Sequence, residues 1–211
     1  MIDKINEKKQ YILLGLLLVL ITAGNYYLNG GAKGNWVEVT GYGFTMLHPP
    51  GVEPWTTGLD EDNVFDIYGH HQASTESGMM GFNLEGKEFG LTWTTLEETA
   101  TLEDVLEIHY HSAEVNSYRR DRGFRLELES PSYSTVNGHN AVYQIHVLEL
   151  DMPDEDKLLY AKGAAAGWTC EETGISYVSY LLFWDWGSPP RLSESAAIDA
   201  LNQYLDTLEC H

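Results

Sequence analysis

Apolar and polar positions alternate most regularly in the middle of the chain. Phe124, Leu126 and Leu128 interleave with Arg125, Glu127 and Glu129, the period of two expected of a strand with one buried face. Asn137-Gly138 then predicts a tight turn into a strand over 141–150. There Tyr143, Ile145 and Val147 face one way, and Gln144 and His146 the other. An acidic connection over 151–156 leads to a strand over 158–166 that runs on through Trp168-Thr169-Cys170. After a turn at 171–174, residues 175–184 carry large apolar side chains on both faces, which predicts a central strand. Upstream the runs are shorter. Residues 36–39 and 44–47, separated by Gly41 and Gly43 and stopped by Pro49-Pro50-Gly51, predict a hairpin, and 64–68, 79–84 and 89–93 predict three more strands.

Two stretches change period. Over 101–115, Leu102, Val105, Leu106 and His109 fall on one helical stripe, with Thr101 placed to cap and Asp104 three residues later. Ser193 caps a second helix whose stripe is Ala197, Ile198, Leu201, Tyr204, Leu205 and Leu208. The sum is an α+β fold: an antiparallel sheet with helices packed on both faces, a three-layer α/β/α arrangement formed by residues 36–211 as one domain. No internal repeat is visible.

Residues 11–24 are uncharged and largely apolar, and the run extends to Leu28 if Asn25 is tolerated. Its 14 to 18 residues span the range between a signal peptide and a short transmembrane helix. Lys8 and Lys9 precede it, which places the N-terminus in the cytoplasm and everything after Leu28 outside. The aromatic pair Tyr26-Tyr27 favours a signal anchor over 1–28, with a glycine-rich linker at 29–35. The expectation is a single-pass protein of the cell membrane with its domain outside the cytoplasm. Cleavage after Ala23 would instead yield a secreted chain.

Charge narrows the partners. Residues 1–35 hold four lysines and two acidic residues, so of the chain's 12 basic and 32 acidic side chains the domain keeps eight against thirty. Such a field repels phosphate backbones, which excludes nucleic acid, and attracts cations or basic partners. The only two cysteines, Cys170 and Cys210, are expected to form a disulfide in an oxidising compartment.

Several short motifs resemble the PsbP-like superfamily. They are Gly43-Phe44-Thr45-Met46 followed by Pro49, Pro50 and Trp55, the helix Leu102-Glu103-Asp104-Val105-Leu106, and the turn Asn137-Gly138-His139-Asn140-Ala141. The closing pair is Trp168-Thr169-Cys170 with Leu205-Asp206-Thr207-Leu208-Glu209-Cys210. That superfamily includes extrinsic photosystem II subunits and a Ran-binding nuclear import factor. The resemblance implies a non-enzymatic module that rests on a larger complex or binds ions. It supplies no site residue and no named partner.

Chemistry-bearing clusters are sparse. Asp151, Asp154 and Asp156 crowd one connection and could offer hard oxygen ligands to calcium, and Asp60-Glu61-Asp62 crowd another. Neither has the spacing of a dedicated calcium loop, and a solvated acidic turn is the plain alternative. His70-His71 stand in a predicted loop, whereas His109 and His111 point about 200° apart on a helix and cannot chelate one ion. His109 is read as a helix-face residue at the core margin. Trp184 and Trp186 close an aromatic-rich stretch and are candidates for a docking surface. No Gly-x-Ser-x-Gly or phosphate-loop pattern occurs. The sequence therefore favours a membrane-tethered binding module for a membrane complex or envelope component. A calcium-binding domain comes second, and a secreted hydrolase without a catalytic set third.

Overall fold

The computed structural model describes residues 35–60, 64–66, 68–96, 100–120, 122–152 and 157–211. The proposed anchor over 1–28, nearly all of the linker, and Asp154 and Asp156 lie outside them. Among the described residues no helix is long and apolar enough to cross a membrane. Residues Glu38–His211 form a compact unit in themselves.

The order of elements is β1 (Val37–Gly41), β2 (Phe44–His48), β3 (Trp55–Thr57), β4 (Gly78–Leu84), β5 (Lys87–Thr95), α1 (Leu102–Arg119), β6 (Phe124–Leu128), β7 (Ser132–Val136), β8 (His139–Met152), β9 (Lys157–Thr169), β10 (Ile175–Trp186), α2 (Glu194–Leu205) and β11 (Glu209–Cys210). The large sheet is antiparallel in the order β3-β4-β5-β10-β9-β8-β6, and β1-β2-β11 make a small one. β10, apolar on both faces, is central as expected, between β5 and β9.

β6 and β7 occupy one edge in tandem. β7 pairs with residues 139–143 of β8 and β6 with 146–150. Pro131, between them, has no N–H to give a ladder, which fits the break. The predicted Asn137-Gly138 turn joins β7 to β8, with positive φ at both residues, 47° and 91°. Its asparagine does more than turn the chain, because the side-chain amide donates to the carbonyls of Leu205, the last residue of α2, and Leu208 just past it. One expectation fails. The described residues of 64–68 form no strand and contribute only the isolated bridge Phe65 to Leu59, because the Val64 N–H goes to the Asp60 carboxylate, the Asp66 N–H to the Gly58 carbonyl and the Tyr68 N–H to the Asp66 carboxylate.

The period of two separates the faces of the sheet. On one, Val142, Leu148, Ala161, Ala165, Val178, Tyr180 and Leu182 pack with Val105, Leu106 and Tyr110 of α1. On the other, Phe82 and Phe89 meet Tyr204 of α2. One helix thus covers each face. The capping box at the start of α1 is present in full, with Thr101 accepting from Asp104 and Asp104 from Thr101. Cys170, just past the end of β9, is bonded to Cys210 in β11 and closes a separation of 40 residues, worth about 4 kcal/mol in the chain-entropy account.

Candidate functional site

The site grows from small residues in the sheet. Gly167 lets α1 approach, since a β-carbon there would stand 3.3 Å from both the Leu102 carbonyl and the Leu106 side chain. Gly90 admits the Tyr180 ring, which a β-carbon would meet at 2.4 Å. The first turns of α1 therefore lie close on β9. Around the rest of the helix a cleft of about 770 Å³ opens among His109, Asn116, Phe65, Met79, Leu182 and Trp184.

Its base is a stack of polar rings. The Tyr180 hydroxyl donates to Glu88 Oε1 at 2.9 Å, and the His109 ring stacks on Tyr180 with centroids 4.3 Å apart. His146 meets His109 edge-on at 5.6 Å and Tyr110 at 5.4 Å. Both ring nitrogens of each histidine, and the Tyr110 hydroxyl, are buried with no hydrogen-bond partner. Burial sets their titration. It drives His109 well below the usual histidine range, helped by the neighbouring His146, and brings His146 down to about 4. The Gln144 carbonyl opposes the second shift without meeting hydrogen-bond geometry. Glu88 is pushed up by burial, against the Tyr180 hydroxyl and the charge of Arg120.

The walls are fixed by the segment after β3. Asp66 is buried, yet its carboxylate accepts from the backbone N–H groups of Tyr68 and His71 and contacts His71 Nδ1 at 3.0 Å. Burial opposes its charge, but those donors together outweigh it and hold the group at about 2. Asn116 Nδ2 donates to the Phe65 carbonyl at 3.1 Å, and Arg119 pairs with Asp60 at 2.8 Å, so α1 is tied to this segment at two points. Arg120 and Arg122 line the cleft.

Of the residues singled out from sequence, Trp184 lines the cleft. Trp186 does not: it is half exposed at the end of β10 with Lys157 over its ring at 5.9 Å. Asp151 is exposed near the end of β8, where its N–H donates to the Gly123 carbonyl. His71 is engaged by Asp66, and His109 is buried at the base of the cleft. Sequence reasoning missed Glu88, Tyr180, Arg120 and Arg122. A signal existed for the arginines, because Arg119, Arg120, Arg122 and Arg125 are four of the domain's eight basic residues.

No protein-family model matches the sequence, and no curated protein does. Solved structures do. Cyanobacterial PsbP from Synechocystis sp. PCC 6803 is similar at 12% identity and a TM-score of 0.49, over 84% of this chain and 93% of that one. The Ran-binding protein Mog1p of Saccharomyces cerevisiae is similar at 11% identity and 0.43, over 83% and 95%. A type VI secretion immunity protein, TplEi of Pseudomonas aeruginosa, solved in complex with a peptide, is similar at 9% identity and 0.46, over 85% and 99%. The resemblance read from the sequence motifs is thus met again in PsbP and Mog1p, as a likeness of fold. At these scores no residue, ligand or partner is transferred.

Proposed function

We propose that the chain is a binding module whose working surface is the cleft between α1 and the sheet, and that it engages an apolar segment of a protein partner flanked by an acidic group. The observation that carries this is the union of apolar walls with Arg120 and Arg122 in a domain that is otherwise strongly acidic. The cleft falls in the size range of sites that take several side chains or a compact ligand, about 300–1,000 Å³. Its perturbed ionisable groups mark it as functional ground. Binding is favoured over catalysis because Glu88 and Tyr180 are bonded to each other, and burial favours the uncharged form of both and of His109. With the apolar N-terminal run as a tether, the partner belongs to a membrane complex or the cell envelope.

A photo-crosslinking residue at position 124 or 184, in the full chain extracted from gently solubilised membranes, tests this. A discrete protein adduct is expected, and Arg120→Glu with Arg122→Glu should remove it. An adduct that survives this double change, or that forms only from position 133 on β7, overturns the assignment of the cleft. Intact mass of the same detergent extract reports the tether: a chain beginning at Gly24 would be a cleaved, secreted form.

A further inference from the structure

The disulfide stands inside a second cluster, away from the residues that line the cleft. His139 opens β8, and Glu172 lies in the turn after Cys170, held by the Gly174 N–H on the Cys170 carbonyl at 2.8 Å. Glu172 Oε2 is 3.2 Å from Cys170 Sγ and 3.9 Å from Cys210 Sγ. His139 Nε2 is 3.5 Å from Cys210 Sγ and 3.6 Å from Glu172 Oε2. One ligand atom from each of the four residues falls within 4.8 Å of the others.

A tetrahedral zinc ion holds sulfur at about 2.3 Å and nitrogen or oxygen at about 2.0–2.2 Å, so its ligand atoms stand about 3.3–3.8 Å from one another. The four distances above lie in or beside that range. The two sulfurs, bonded to each other, stand much closer than that, and the sixth separation, His139 Nε2 to Cys170 Sγ, is bounded at 4.8 Å. We infer that reduction of the disulfide converts this cluster into a zinc site formed by His139 Nε2, Cys170 Sγ, Glu172 Oε2 and Cys210 Sγ.

The chemistry balances. A dithiol reductant gives two electrons and two protons to the Cys170–Cys210 bond and closes its own disulfide, leaving two thiols. Zinc then displaces both thiol protons and is bound by two thiolates, a carboxylate and a neutral imidazole. Two soft sulfurs beside an imidazole select zinc over calcium or magnesium. Once the bond is broken, the sulfurs must part to the spacing of two thiolates on one zinc, and Cys210 is the one free to move. β11 is two residues long and can follow that movement, whereas His139 and Cys170 are set by the longest strands of the sheet. In the oxidised chain the same place offers only the His139–Glu172 contact, so the bond and the ion exclude each other.

The test uses the full chain, oxidised or reduced with a phosphine, which removes the bond without competing thiols. Cobalt(II) is titrated first and then displaced with zinc. The reduced chain should take up one cobalt with tetrahedral d–d bands and thiolate-to-metal charge transfer, and the oxidised chain none. His139→Ala and Glu172→Ala keep both cysteines, so their oxidised forms control for folding. Each should weaken zinc by more than the roughly 10- to 100-fold that follows loss of a group behind a ligand. If the reduced chain loses its β-sheet circular dichroism, zinc should restore it. Binding no tighter than in the oxidised chain, wild-type affinity in both variants, or a reduced chain that stays unfolded with zinc would each overturn the site.

Discussion

The same strands build two unlike faces. Against α2 the sheet is aromatic and closed: Phe82 stacks on Phe89 at 4.8 Å, Tyr204 lies 5.0 Å from Phe89, and Trp168 stacks on Tyr177 at 5.5 Å. Phe44, Phe82, Phe89, Trp93, Trp168 and Tyr177 are all fully buried there. Against α1 the sheet offers Ala161, Gly163, Ala165 and Gly167 instead, and the rings that fill the space are His109, His146, Tyr110 and Tyr180. His109, His146 and Tyr110 carry polar atoms without partners, and a cleft lies beside them. Buried unsatisfied groups cost stability, so the α1 face is the less stable of the two, and it is the face that has room for a ligand.

The contrast breaks most visibly under truncation. Phe89→Ala on the α2 face should cost about 3–5 kcal/mol, read as a fall in urea midpoint at unchanged slope. Phe124→Ala, on the wall of the cleft, should cost about 1 kcal/mol and act mainly on binding. Equal losses would show that the α1 face is a second core and no cleft.

Acid should act on the α1 face first. His146 is fully buried with a folded value of about 4 against the ordinary 6.5, so the unfolded chain takes up its proton first as pH falls. Its burial carries no proton-linked cost above about pH 6.5, and stability drains away between there and pH 4, by about 3 kcal/mol at the lower end. Glu88, raised by burial, works the other way, binding its proton sooner in the folded state. The difference between wild type and His146→Leu cancels Glu88. Stabilities measured by denaturant at several pH values should diverge downward for the wild type. Parallel curves would mean that His146 is hydrated and the base of the cleft is wet.

Gly90→Ala separates the faces by geometry alone. The new methyl would stand 2.4 Å from the Tyr180 ring on the α1 face and leave the α2 face untouched. Such overpacking costs about 1–3 kcal/mol, and in this position it should also displace the tyrosine from Glu88. A cleft probe such as the crosslinking residue at position 184 should lose its adduct while near-ultraviolet signals from Trp93 and Trp168 persist.

These effects also show what the sequence could reveal. Period two in β8, the Asn137-Gly138 turn, the stripe on α2 and the two-faced β10 were all readable, because each is a local pattern with a local cause. β7 was less so: Ser132, Tyr133, Ser134 and Thr135 are all exposed, and an edge strand with two polar faces has no burial period to read. Residues 64–68 look like a strand in composition, but two side-chain carboxylates, Asp60 and Asp66, take the N–H groups of Val64 and Tyr68. The cleft was the least legible. Glu88 and Tyr180 lie 92 residues apart and meet only through the pairing of β5 with β10, and His146 occupies the polar side of an alternation that α1 then covers. Periodicity says which way a side chain points, and tertiary packing decides what lies there.

The finest comparison is between two tyrosine hydroxyls on opposite faces of β10. Tyr180→Phe removes the donor to Glu88 Oε1 at 2.9 Å and leaves a half-buried carboxyl without that bond. Tyr177→Phe removes a longer contact to the Gly43 carbonyl at 3.3 Å, and that carbonyl keeps the N–H of His211 at 2.8 Å. The first should cost about 1 kcal/mol and the second a few tenths, since the penalty follows the group left behind and not the bond itself. The Tyr180 hydroxyl also holds the Glu88 pKa down against burial, so Tyr180→Phe should move it further up, visible as a later titration of its side-chain carbon resonance. An unmoved Glu88, or equal costs for the two changes, would mean that the hydroxyl–carboxyl pair is solvated, and the α1 face would then differ from its opposite in shape alone.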